Sequence, residues 1–166
     1  MTDRYVQRDI IPAAYDLLPI TMRSAQATAM LLTIGLQESR FVHRRQYRSG
    51  PARGFWQFER NGIAGVLNHD ATRVDLGVAL QVLCYPATVD TCHAAVEHND
   101  VLATIFARLL LWTVPQRLPA RDEPNLAWNQ YLRAWRPGKP HPDTWVDNYE
   151  AGWALVIEED HIAVSE

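Results

Sequence analysis

Ala29-Met30-Leu31-Leu32-Thr33-Ile34-Gly35-Leu36-Gln37-Glu38-Ser39 is an apolar run that ends on a carboxylate. Residues three and four apart share one face of a helix. Stepping back from Glu38 by that spacing reaches Ile34, Leu31, Met30 and Ala27. The carboxylate is therefore expected on the face that faces the core, with Thr21 or Ser24 capping the helix start. Burial disfavours the charged form and raises a carboxyl pKa. A carboxylic acid that keeps its proton near neutral pH is what general acid catalysis needs. The plainer alternative is a solvated or Arg-paired glutamate at a helix end.

Working outward, the chain reads as short helices punctuated by Pro, Gly and Asn/Asp signals. A helix is expected over Asp9 to Leu18, with Pro12 in its first turn and Pro19 stopping it. Residues 42–53 read as a polar, Arg-rich loop, and Gly54 to Glu59 as a short aromatic turn or extended piece. One or two helical turns follow over Ile63 to Asn68. Thr72 to Leu83 and Val89 to His98 are amphipathic. Asp100 is placed as the cap of the most apolar helix, through Trp112, which is expected at the centre of the core. Pro124 to Trp135 reads as a helix. Asp143 is a cap for a last helix reaching about Glu158. No period-2 run of useful length is present. The expected fold is mainly α, about eight short helices, with at most one small β-hairpin near residues 50–60. One domain is expected over 1–166, with a core of about 9–158 and a frayed tail at 159–166.

The 166 residues suit a single domain with a sizeable core. At 48% hydrophobic and 21% charged, with a net charge of −3, the composition is that of a soluble globular chain without a basic signature for nucleic acid. Met1-Thr2-Asp3-Arg4-Tyr5 opens no signal peptide, so cytoplasmic synthesis is expected. The longest apolar stretch, Leu102 to Val114, is interrupted by Arg108 and too short to span a bilayer, so no membrane insertion is expected. Cys84 and Cys92 are expected as free, mostly buried thiols.

Three segments carry the chemistry: Gln37-Glu38-Ser39-Arg40-Phe41, Gly50-Pro51-Ala52-Arg53-Gly54-Phe55-Trp56-Gln57, and Ala127-Trp128-Asn129-Gln130-Tyr131. In order and spacing they resemble the lysozyme-like superfamily, in particular the soluble lytic transglycosylases and goose-type lysozymes. That group has a helix ending in Glu-Ser with Phe two residues on, then a Gly-Ala-x-Gly-Leu-Met-Gln segment, then Ala-Tyr-Asn. This chain departs from the pattern: Phe55-Trp56 replaces Leu-Met, Pro51 is inserted, and Trp128 replaces Tyr. The glycines that commonly follow Asn are missing.

The resemblance implies a lysozyme-like domain that cleaves the glycan strands of peptidoglycan, with Glu38 as the catalytic acid. A proton must reach the leaving glycosidic oxygen, and most glycosidases add a second carboxylate. Glu59, Asp70 and Glu97 are the candidates for it, and none is placed by the sequence. In lytic transglycosylases the sugar's own 6-hydroxyl attacks, so one acid suffices and the product carries a 1,6-anhydro end. The missing partner therefore favours a transglycosylase over a hydrolase.

Sugar recognition calls for aromatic platforms beside amide groups. Phe55, Trp56 and Gln57 supply both, as do Trp128, Asn129 and Tyr131, with Ser39 orienting the helix end. For Phe55, Trp112 and Trp153 core packing is the simpler expectation. The cluster Arg40, Arg44, Arg45, Arg48 and Arg53, with His43 and Tyr47, would attract an anionic wall or peptide-stem carboxylates, with a nucleic-acid patch as the competing reading, or else be a solvated loop neutralised by nearby acids. His93, Glu97 and His98 do not make a ligand set, so no metal and no cofactor is expected. The setting implied is a phage or prophage protein, carried in the virion or released at lysis. The alternative is a non-catalytic lysozyme-like protein that serves as a structural or wall-binding part of a phage particle.

Overall fold

The computed structural model describes residues 2–46 and 50–163, with side chains described to residue 157. It is mainly helical. The chain opens with α1 (Thr2–Tyr5), runs through a π-type turn (Val6–Ile10) and continues as α2 (Ile11–Tyr15). Helical structure thus starts seven residues earlier than Asp9; from Val6 on, Val6, Ile10, Ile11 and Ala14 supply one continuous buried face, while α1 buries no residue. After a 3-10 turn (Ile20–Met22) comes α3 (Ala25–Ser39). Ser24 caps it, its Oγ accepting from the Ala27 N–H at 3.1 Å.

A short cluster follows: α4 (Arg60–Asn68), α5 (Arg73–Val82) and α6 (Val89–Ala95). Then α7 (Asp100–Trp112) crosses the core. Its cap is Asn99, not Asp100: Asn99 Oδ1 accepts from the Leu102 N–H at 2.9 Å. Asp100 is instead paired with Arg44. α8 (Pro124–Trp135) and α9 (Trp145–Ala163) complete the fold. α9 extends past Glu158 to Ala163, and 164–166 lie outside the described residues.

α7 is buried almost all round, as its composition requires, but it shares the centre with α3, where Ala27 and residues 29–35 are all enclosed. The reason is the close approach of α9. At Gly152 a Cβ would lie 2.6 Å from Thr33 Oγ1 and 2.8 Å from the Ala29 carbonyl oxygen, so only glycine lets the two backbones meet. The expected hairpin near 50–60 is reduced to isolated bridges, Arg45 with Arg53 and Arg53 with Phe58. Arg53 and Phe58 exchange both backbone hydrogen bonds, at 2.9 and 2.7 Å, around the turn 54–57.

Cys92 is buried but Cys84 is exposed, in a left-handed conformation just past α5. Trp112, expected in the core, is 39% exposed because α7 ends there and its last turn faces outward. No described helix is long and apolar enough to cross a membrane.

Candidate active site around Glu38

Glu38 lies in the last turn of α3, half-buried, on the face shared with the core. The helix stops at once after Ser39. Arg40 takes left-handed backbone (φ 53°), its N–H closing on the Leu36 carbonyl, and Phe41 is left-handed as well (φ 54°). Two successive non-glycine residues in that region are costly. The turn is held by Ser39, whose Oγ donates to the Phe55 carbonyl at 2.7 Å and accepts from the Phe41 N–H at 3.1 Å. Ser39 is thus a clamp between the helix end and the second motif segment. It is buried and used up in that role.

The second segment is drawn in from the same side. Phe55 and Trp56 have no exposed surface. With Phe41 they form an edge-to-face cluster, with ring centroids 5.5 to 6.5 Å apart. Trp56 Nε1 donates to the Leu31 carbonyl at 2.9 Å, one more tie to α3. Gly54 makes the turn possible: its φ is +73°, and a Cβ there would sit 2.5 Å from the Val96 carbonyl oxygen. Phe55 and Trp56 are therefore packing residues and offer no face to a sugar, which corrects the expectation for both. Core packing of Phe55 and Trp153 follows the simpler sequence reading. Gln57 is partly exposed and left-handed (φ 51°), but its amide donates back to the Gly54 carbonyl at 2.9 Å.

The third segment meets the acid through Tyr131. Its hydroxyl donates to Glu38 Oε1 at 2.6 Å. On α8, Trp128, Tyr131 and Trp135 fall at i, i+3 and i+7, one face of the helix. Trp135 Nε1 donates to the Trp56 carbonyl at 2.9 Å, closing the link from α8 to the second segment. Trp145 stacks on Tyr131 with centroids 5.0 Å apart, and Trp128 lies 5.3 Å from the same ring. Asn129 falls about 160° away from Tyr131 around α8, given 100° per residue. It is exposed on the outer face. Of the residues expected beside Glu38, the fold brings Tyr131 into contact and Trp128 next to it, and sends Asn129 elsewhere.

Trp135 and Trp145 escaped the sequence reading. Trp135 was within reach of it, since it continues the helical spacing of Trp128 and Tyr131. Trp145 was not, since it comes from a separate helix. Gln37 was another miss. Its amide donates to the His141 carbonyl (2.9 Å) and accepts from Thr144 (3.1 Å) and Asn148 (2.8 Å), anchoring α9 beside the acid.

Burial pushes the Glu38 carboxyl up from 4.5 to about 7, and the Tyr131 hydrogen bond opposes that rise. Burial likewise raises the Tyr131 hydroxyl, helped by the adjacent carboxylate. Two of the three candidate second carboxylates are paired with arginines, and the third is exposed. Glu97 is paired with Arg53 at 2.8 Å and Arg45 at 3.6 Å. Asp70 is exposed and paired with Arg73 at 3.2 Å, and Glu59 is exposed at the start of α4. The Arg cluster is largely answered by acids too, Arg44 making a two-point contact with Asp100 at 2.9 and 2.7 Å. Tyr47 and Arg48 lie outside the described residues. His93 Nε2 meets the Pro51 carbonyl at 2.8 Å, away from Glu97. Among the described residues no group of three metal-type side chains comes together.

Chemically, the site is one carboxyl able to hold or release a proton near pH 7, gripped at Oε1 by a phenol whose ring packs against Trp128, Trp135 and Trp145. No family model, curated protein or solved structure matches the chain.

Proposed function

We propose that this chain is a lysozyme-like enzyme that cleaves peptidoglycan glycan strands as a lytic transglycosylase, with Glu38 as its single acid and base. The observation that carries the reading is a carboxyl at about 7 whose one hydrogen-bond partner among the described residues is Tyr131. Because Tyr131 donates to Oε1, the acidic proton belongs on Oε2, free to face a ligand. In the first step that proton passes to the glycosidic oxygen as the C1–O bond breaks. In the second, the Glu38 carboxylate takes the proton of the sugar's 6-hydroxyl as that oxygen bonds to C1. Glu38 ends protonated, no water is consumed, and the product carries a 1,6-anhydro end. Tyr131 stabilises the carboxylate between the two steps, and Trp128 and Trp135, each partly exposed, are the aromatic residues available to the sugars.

A second reading keeps the lysozyme-like fold but not the activity, as a structural or wall-binding part of a phage particle. It is favoured by one observation: Gln57 is folded onto its own loop and Asn129 faces outward, so two of the motif amides do not meet the acid. Digestion of purified peptidoglycan, read by mass spectrometry, separates the readings. Anhydro ends are expected from the transglycosylase and should vanish with Glu38→Gln. Reducing ends would mean a hydrolase, and intact sacculi would leave the non-catalytic reading standing.

A further inference from the structure

A concavity lies at the end of α3 opposite Glu38, roughly 20 Å from it along a helix that rises 1.5 Å per residue. It is an open pocket of about 560 Å3 between the first turn of α3, the last turn of α7 and the chain at 114–120. Its walls include Ser24, Gln26, Arg108, Leu111, Trp112 and Leu118.

Arg108 is the unusual member. It is 2% exposed, in the middle of an otherwise apolar helix. Its Nε donates to the Met22 carbonyl at 2.7 Å, and its guanidinium carbon lies 5.1 Å from the centre of the Trp112 ring. Its Nη1 is enclosed and has no acceptor among the described residues. No carboxylate among the described residues pairs with it. A guanidinium does not shed its proton, so the charge must be balanced in place. A carbonyl, a ring face and the negative end of α7 each supply only a partial charge.

The positive side of the pocket is reinforced by α3. The first N–H groups of a helix have no acceptor within it, and Ser24 answers only that of Ala27. The first turn of α3 carries no acidic residue. A fifteen-residue helix therefore brings its positive end to the pocket that Arg108 lines, a guanidinium with no paired carboxylate among the described residues. Arg117, at the rim, is already held by Glu123 at 2.5 and 2.6 Å.

We propose that this pocket binds a small organic carboxylate. Its head would be held by Arg108 and the first turn of α3, and its apolar body by Trp112, Leu111 and Leu118. With Nε held by the Met22 carbonyl and Nη1 enclosed, the carboxylate would meet the guanidinium through Nη2. The volume and the apolar walls exceed what an inorganic anion would fill, and they give a use to a tryptophan left 39% exposed.

The test is calorimetric titration of the full chain with benzoate and octanoate, with benzamide and inorganic phosphate as controls. At least one of the two carboxylates should bind and raise the melting temperature. Benzoate should bind about tenfold or more tightly than benzamide, which keeps the shape and loses the charge. Trp112→Ala, at an exposed position, should weaken benzoate about fivefold or more. Arg108→Met should abolish binding. The benzamide comparison and the Trp112 variant stand even if the Arg108 variant does not fold. Failure of both carboxylates to bind, equal binding of benzamide or phosphate, or full binding by either variant would overturn the proposal.

Discussion

Burial pushes the Glu38 carboxyl up to about 7 while the Tyr131 hydroxyl, donating to Oε1 at 2.6 Å, pulls the other way. The balance leaves a group that is half protonated near neutral pH, the most useful condition for an acid that must also act as a base. Removing the hydroxyl with Tyr131→Phe leaves burial unopposed. The Glu38 pKa should then rise by about one pH unit, the equivalent of about 1.4 kcal/mol lost from the charged form. Carbon NMR of the Glu38 carboxyl reads this directly, whether or not the chain is catalytic. A pKa that stays put would mean that Tyr131 does not tune the acid. If the chain cleaves glycans, activity should fall as pH rises through about 7, and Tyr131→Phe should move that limb upward. Glu38→Gln should then cost about a hundredfold or more in rate.

At the scale of elements, the site is the meeting of three: the end of α3, the turn at 54–57, and one face of α8. Ser39 joins the first two, Trp135 joins the last two, and Tyr131 joins the first and third. Ser39→Ala would leave the Phe55 carbonyl and the Phe41 N–H without their partner in a buried place. About 1–3 kcal/mol should be lost, visible as a lower midpoint in urea. The α3–α9 contact depends on Gly152 in the same direct way. Gly152→Ala drives a methyl against the Ala29 backbone, where nothing flexible can yield. A loss of about 2 kcal/mol is expected, or about 4–8 °C in melting temperature for a chain of this size. Unchanged melting would mean that the helices are not so closely apposed. The helix bounds themselves were legible in the chain, α8 from Pro124 to Trp135 above all, since proline, capping residues and apolar spacing act locally. The failures were also physical. Asn99 rather than Asp100 caps α7, because the carboxylate is taken by Arg44 from a distant loop. Helical structure begins ahead of Asp9, because Val6 and Gln7 are buried against the core by contacts that local propensity does not encode.

For the whole molecule, the raised Glu38 pKa is a cost to folding. The folded chain holds that proton up to about 7, whereas an unfolded glutamate gives it up near 4.5. Between those values the folded state binds more protons, so this group makes stability fall as pH rises through the window. Below 4.5 it costs nothing; above 7 the cost is complete. It should be on the order of 2 kcal/mol once the partial access of water is allowed for. Glu38→Gln removes the titration, so the variant should be more stable than the parent at pH 8 and equal to it at pH 4. Urea unfolding at several pH values checks the sign, and a variant that gains nothing at pH 8 would refute it. A stability sacrificed at one carboxyl is the pattern expected of a functional site.

The sequence by itself determined that this chain is mainly helical, roughly where its helices run, and that Glu38 shares a face with buried residues. Those properties follow from spacing and composition, which act over a few residues. Only the tertiary structure decided what surrounds that carboxyl. Trp56 is equally aromatic on a glycan platform or in a core, and Asn129 is two residues from Tyr131 but on the other side of the helix. Trp145 reaches the site from α9, at a separation that no local pattern encodes. Arg108 marks the same division. Its place in an apolar helix was plain from the chain, but its lack of a paired carboxylate among the described residues appeared only when the neighbouring elements were in position.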